Sequence, residues 1–228
     1  MQRTKRQPRT ASRVIALVVL AGFAVVTVFP FYWMVMTAVM PTDAILSRTP
    51  ALLPDLTRID FSAFLKVFEG RPFFTWILNS LIVAFASTFL SLFVSTLAGY
   101  SLSRFSSPPQ QALGGALLIS KLIPASLILI PLFIIYTNIG LFNSLAGLVA
   151  ANMTIGVPLA TWLMKGFFDR IPRELEQAAQ IDGANPMQAL WLVVLPLAKP
   201  GLAASTVYLV LTSWSEFIFA RTLVDKPD

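Results

Sequence analysis

The stretch Val14–Thr42, VIALVVLAGFAVVTVFPFYWMVMTAVMPT, contains no charged residue. It exceeds the roughly 20 apolar residues that cross a ~30 Å hydrocarbon core. Two more charge-free runs follow, Pro72–Ser103 and Leu122–Met164. All three are apolar on every side rather than alternating, which excludes the strands of about 10 residues that build membrane barrels. Helices satisfy their own backbone hydrogen bonds and remain as the spanning element. The composition agrees: 56% of the 228 residues are hydrophobic and 12% charged, with a mean hydropathy of +0.74, whereas soluble domains carry about one-quarter charged residues. The fold class is all-α, a polytopic transmembrane helical bundle.

The chain has no cysteine and no histidine, so thiol nucleophiles, imidazole bases, haem ligation and the usual zinc sites are excluded. Its net charge of +6 does not indicate nucleic acid, because Arg3, Lys5, Arg6, Arg9 and Arg13 crowd one short segment beside a span. Residues 1–13 read as a cytoplasmic basic arm. A signal peptide would carry an apolar stretch of only about 7–15 residues, whereas here the stretch continues to Met40, so the first span is expected to be retained.

The remaining residues, 14–228, are expected to form one membrane domain with five spans, at about 14–39, 73–102, 113–135, 145–164 and 200–223. Asn138, Gly140 and Asn143 mark a turn between the third and fourth. With the N-terminus inside, the cytoplasmic segments (the arm, residues 104–111 and residues 165–199) hold ten Lys/Arg against six outside. The outer segment 41–72 has Pro41, Pro50 and Pro54, then Phe61, Phe64, Leu65, Val67 and Phe68 at near-helical spacing, which predicts an interfacial or docking helix.

The polar loop 169–201 reads DRIPRELEQAAQIDGANPMQALWLVVLPLAKPG. Pro172 suits a first helical position, Glu174 and Glu176 complement a helix N-terminus, and Gly183 suits a left-handed end, so a helix is expected over 172–182. Asn185 with Pro186 starts a second, running to about Leu195, before Pro196. On the first helix Leu175, Ala178, Ala179 and Asp182 share a face, with two alanines permitting close approach.

LEQAAQIDGA at 175–184, with Leu195-Pro196 and Pro200-Gly201, resembles the EAA loop of permease subunits in binding-protein-dependent ABC importers. Asn79-Ser80, AGYSLSRF at 98–105, Ile123-Pro124, IPLF at 130–133 and GLFNS at 140–144 are similar to the carbohydrate-uptake branch and its maltose-type second permease subunit. The resemblance implies ATPase-coupling roles for Leu175, Glu176, Gln177, Ala178, Ala179, Asp182, Gly183 and Ala184. It also implies an ABC ATPase dimer, a second homologous permease, an extracytoplasmic solute-binding protein and membrane lipid as partners, in a cell (inner) membrane.

The family often has Glu where Gln177 stands, and Glu176 would replace it only on a rotated helix. The family's Trp-Asn-Glu-Phe appears as Trp214-Ser215-Glu216-Phe217. Members continue into a sixth span where this chain stops, which suggests a shortened member, a fragment or an early-stopped product. The chain is not expected to be an enzyme or to hold a cofactor, since it has no G-x-x-x-x-G-K-[ST] loop; ATP and Mg would sit on partner subunits.

The expected function is import of a sugar or sugar derivative by alternating access. The alternatives are another solute (glycerol phosphate, amino acid or peptide) or a truncated, non-transporting remnant or scaffold. Lys121, Asn152, Thr154, Thr161 and Glu216 are candidate substrate-path residues, because ionisable and polar groups at membrane depth usually face a bundle interior. Lys121 and Glu216 are a candidate pair. Thr212 and Ser213 are further polar positions, and Gly156 and Pro158 weaken the fourth helix.

Overall fold

A computed structural model describes residues 10–45, 53, 55, 57–105 and 107–224, the side chains of residues 10 and 11 excepted. Most of the basic arm, together with Pro50 and Pro54, lies outside the described residues. Most of the described residues are helical, and none is in a strand. The chain divides into two compact units, residues 1–73 and 74–228.

In the first unit, α1 (Thr10–Val39) is followed by α2 (Thr42–Ile45) and α3 (Ser62–Phe68). α1 is about 45 Å long at 1.5 Å per residue, and its apolar side chains are exposed over most of that length. The stretch with Phe64, Leu65, Val67 and Phe68 is helical as α3, and none of its residues is buried. Asp60 anchors the start of α3, accepting from the Ser62 N–H at 2.8 Å and its hydroxyl at 2.9 Å. These bonds hold its carboxyl below the usual range.

The second unit contains α4 (Phe73–Arg104, from its second residue on), α5 (Pro108–Ser120), α6 (Ala125–Ile139), α7 (Leu145–Phe168), α8 (Glu174–Ile181), α9 (Pro186–Ala189), α10 (Leu195–Leu197), α11 (Lys199–Trp214) and α12 (Ile218–Leu223). α4 shows how a membrane helix packs. Its buried face is small and hydroxylated, with Ala84, Ser87, Ser91, Ser95, Gly99 and Ser103 among its residues. Its opposite face exposes Phe85, Phe89 and Phe93. Lipid tails solvate the large apolar groups as well as a core would, so close approach and interhelical hydrogen bonds hold the helices instead. The Ser87 and Ser213 hydroxyls meet at 2.8 Å, and the Ser95 hydroxyl donates to Val157 O at 3.3 Å.

At Gly99 the approach is to backbone: an added Cβ would lie 2.9 Å from the Lys165 nitrogen, Met164 Cβ and Thr161 O of α7. Two of those are backbone atoms and cannot swing aside. Gly99→Ala is expected to destabilise the bundle by about 1–3 kcal/mol and to lower its melting temperature in detergent. Gly115→Ala, with nothing within 4 Å, should leave it unchanged apart from the gain of a better helix former.

Among the described residues, three helices are long and apolar enough to span a membrane: Ser12–Val39, Phe73–Arg104 and Leu145–Phe168. Two further pairs qualify only together. Pro108–Ser120 with Ala125–Ile139 bends by 107°, and Pro186–Leu197 with Lys199–Trp214 bends by 80°.

The single third helix expected over 113–135 is therefore two half-helices. Pro124 has no N–H for the Ser120 carbonyl and disfavours helical geometry at Ile123, so the ladder stops and restarts. The fifth span expected over 200–223 is interrupted at 215–217, where the Glu216 carboxylate binds the first backbone donors of α12. The second loop helix also passes beyond Leu195. A π-helical turn, Leu190–Val194, sends the Leu195 N–H back to Leu190 O, and Pro196 sits in the short α10 that follows.

Two cores organise this unit. At one end Met164, Phe168, Leu190, Val194 and Ala198 join α7, the π turn and the lead into α11, with Leu97 and Tyr100 of α4 packed against them. At the other, Leu132, Tyr136, Leu148, Ala151, Phe219 and Leu223 join α6, α7 and α12.

Candidate functional site

The helical hairpin α8–α9 is built by its caps. Gly183, at φ +94°, lets the Ala184 N–H reach Ala179 O at 2.9 Å and its own N–H reach Gln180 O at 3.1 Å, a Schellman ending. Asn185 Oδ1 then accepts from the Gln188 N–H while Gln188 Oε1 accepts from the Asn185 N–H, both at 2.8 Å, a reciprocal capping box. The first helix is shorter than the expected 172–182 because Pro172 and Arg173 form the approach to it.

α8 presents two faces. Leu175, Gln177, Ala178 and Asp182 are exposed, as are Gly183 and, beyond the turn, Met187; Ala179 and Ala184 are partly covered. Glu176 is 6% exposed and turns inward. Its carboxylate accepts from the Tyr100 hydroxyl at 2.9 Å and from Arg104 Nε. The Arg104 guanidinium also donates to Ser103 Oγ, Phe168 O and Ile171 O at 3.1–3.2 Å.

Glu176 is thus turned into this chain, away from the face on which Leu175, Gln177 and Ala178 are exposed. Helical period sets Glu176 about 100° from Gln177, and its charge is spent inside this chain. The i, i+4 pair Tyr100 and Arg104 at the end of a span is the signal that could have identified its partners, since a cation there can bind a carboxylate rather than snorkel.

Beside this clamp, Asp169 accepts from Ser103 Oγ and Lys165 Nζ, each at 2.6 Å. Burial pushes its carboxyl up, but these two bonds outweigh it and hold the carboxyl below its ordinary value. Arg173 donates to Ser103 O at 3.0 Å. Ser103, at the last turn of α4, thus gathers contacts from the end of α7 and the approach to α8.

Of the five candidate path residues, Asn152 and Glu216 line one cavity, and Lys121, Thr154 and Thr161 lie elsewhere. Lys121 caps the end of α5 at the broken span, donating to Ile155 O and to the Tyr208 hydroxyl at 3.4 Å. Glu216 accepts from the Phe219 and Ala220 N–H groups at 2.7 and 3.0 Å. The proposed Lys121–Glu216 pair is thus corrected: Lys121 is held by the Ile155 carbonyl of α7 and Glu216 by the first turn of α12, and no ion pair among the described residues joins them. Thr161 is fully buried at the Gly99 contact, a packing position. Thr154 is exposed and its hydroxyl donates to Ala151 O at 2.7 Å. Thr212 likewise bonds its own helix, at Tyr208 O.

Asn152 and Glu216 are brought together with residues that sequence reasoning missed. A cavity of about 900 Å³ opens at the end of the unit opposite the hairpin, lined by Trp76, Asn79, Asn152, Trp214, Glu216 and Arg221 among others. They come from α4, α7, α11, the 215–217 break and α12, so no local spacing announces the cavity.

Comparison with known proteins gives consistent matches. The family model of the binding-protein-dependent transport system inner membrane component matches residues 91–228. The inner membrane ABC transporter permease protein YcjP of Escherichia coli (strain K12) is 31% identical over 220 residues, 96% of this chain and 78% of that protein. The trehalose transport system permease protein SugB of Mycobacterium tuberculosis is 31% identical over 194 residues, covering 85% and 69% respectively. A crystal structure of a bacterial ABC transporter involved in the import of the acidic polysaccharide alginate includes a chain that superposes with a TM-score of 0.84. That chain is 25% identical, with 97% of this chain and 78% of that one covered.

Proposed function

Because the chain belongs to the family of inner membrane components of binding-protein-dependent transport systems, we propose that it is the permease subunit of an ABC importer for a sugar or sugar derivative. It works with a second permease, a pair of ATPase subunits and an extracytoplasmic solute-binding protein. Similarity to a trehalose permease and to an alginate importer supports the saccharide class. The excess of basic residues on alternate loops supports a cytoplasmic N-terminus.

The observation that carries the reading is the two-faced hairpin. Its outer face offers Leu175, Ala178 and Asp182 to a partner, while its inner face is clamped to α4 through Glu176 and Arg104. A short helix joined so firmly to the spans transmits displacement instead of absorbing it. Hydrolysis of Mg-bound ATP in the partner subunits supplies the free energy. Their closure pushes on α8; the ion pair passes the push to α4, and the core around Met164 and Phe168 passes it to α7 and α11. The spans then rock as packed bodies between inward and outward access.

Affinity purification from native membranes in mild detergent, with mass spectrometry, tests the assembly. An ATPase, a second permease and a solute-binding protein are expected to co-purify. Recovery of the chain alone would favour a non-transporting remnant or scaffold and overturn the reading.

A further inference from the structure

Asn152 lies on α7, only 4% exposed. Its amide donates to Leu148 O at 3.1 Å, whereas its Oδ1 is buried and accepts nothing. A residue serving only to join helices would direct that oxygen at a donor on a neighbouring helix. Instead, Asn152 lines the 900 Å³ cavity, within the roughly 300–1,000 Å³ range of small-molecule sites.

The cavity's other features match one ligand chemistry. Trp76 and Trp214 line it, and indole rings offer apolar faces suited to the C–H face of a pyranose together with a polar N–H. Glu216 spends two lone pairs on the N–H groups of α12 and keeps others, since a carboxylate has about four acceptor sites. Arg221 and Asn79 add donors on the same lining. Planar groups of this kind bind adjacent hydroxyls in pairs.

Building on the saccharide-import reading, we propose that this chain itself carries a saccharide contact site. Glu216 and Arg221 bind sugar hydroxyls there, Trp76 and Trp214 flank the ring, and a turn of the Asn152 side chain brings its enclosed, unpaired Oδ1 to a further hydroxyl. The site lies at the extracytoplasmic mouth of the spans, remote from the clamped hairpin, so substrate meets it as it leaves the binding protein.

The test uses the whole transporter, purified with its permease and ATPase partners and without the binding protein. Tryptophan emission is followed while trehalose, maltotriose or an alginate trisaccharide is added, and uptake of the same sugars is measured in proteoliposomes with the binding protein present. Trp214→Phe and Asn152→Leu are the variants. Asn152→Leu keeps the side chain's branching and number of heavy atoms, has the cavity beside it to take the added bulk, and removes an unsatisfied buried acceptor, so folding should not suffer.

A saturable emission change is expected with at least one of the sugars. Asn152→Leu should raise its midpoint about tenfold, the equivalent of one lost hydrogen bond, and Trp214→Phe should remove most of its amplitude. Uptake of a sugar without any saturable change, or with both variants unaltered, overturns the proposal and leaves the saccharide reading standing. Failure of Asn152→Leu to co-purify with the second permease assigns the cavity to a subunit contact and also overturns it. Uptake of none of the three sugars overturns the saccharide reading and the proposal together.

Discussion

Glu176→Ala is expected to release α8 from the end of α4 and abolish coupled transport, while the partner subunits keep their ATPase activity. The Arg104 and Glu176 side chains are 7% and 8% exposed, so removing the carboxylate leaves a buried guanidinium facing only a hydroxyl and carbonyls. Breaking such a pair costs about 3–5 kcal/mol, a large part of the 5–15 kcal/mol typical of a whole domain. An eight-residue helix does not persist without its packing, so the loss falls on α8 before the spans.

The chain has no cysteine, so a spin label on Gln180→Cys reports α8 alone. It should be ordered in the parent and mobile in Glu176→Ala. The double variant Glu176→Leu, Arg104→Met, which removes both charges, should restore much of the order. An equally ordered label in Glu176→Ala, with transport intact, would sink the clamp.

The second large effect is expected at Gly183, where valine should cut sugar uptake at least about tenfold, equivalent to 1.4 kcal/mol on a barrier. Nothing lies within 4 Å of an added Cβ, so the substitution acts on the backbone alone. At φ +94° an L side chain is strained by about 1–2 kcal/mol or more, worst for a β-branched one. Relief requires giving up the bonds from Ala184 and Gly183 to the last turn of α8. Gly183→Asn, which tolerates the left-handed region, should retain more transport than Gly183→Val. Uptake by Gly183→Val equal to the parent would refute a coupling role for the hairpin.

The hairpin was largely legible because its signals are local. Gly183 and the Asn185-Pro186 pair specify where chain direction changes, and Gln188 completes a cap three residues on. The orientation of Glu176 was less legible. It needs the registry of α8 against Tyr100 and Arg104, more than 70 residues earlier. The break at Pro124 was passed over by a span expected to run unbroken over 113–135, and the size of the bend, 107°, depends on how α6 packs against α12 through Leu132, Tyr136 and Phe219.

Val14–Thr42 and its companions commit this chain to membrane-spanning helices whatever their neighbours do, because unpaired backbone groups are too costly in lipid. Gly183 and Asn185 likewise place the hairpin through backbone geometry and capping that act within a few residues. The clamp, the separation of Lys121 from Glu216 and the cavity around Asn152 were decided only by tertiary packing. Each depends on groups distant in the chain, and a side chain's direction on a helix acquires a partner only when a second helix supplies one.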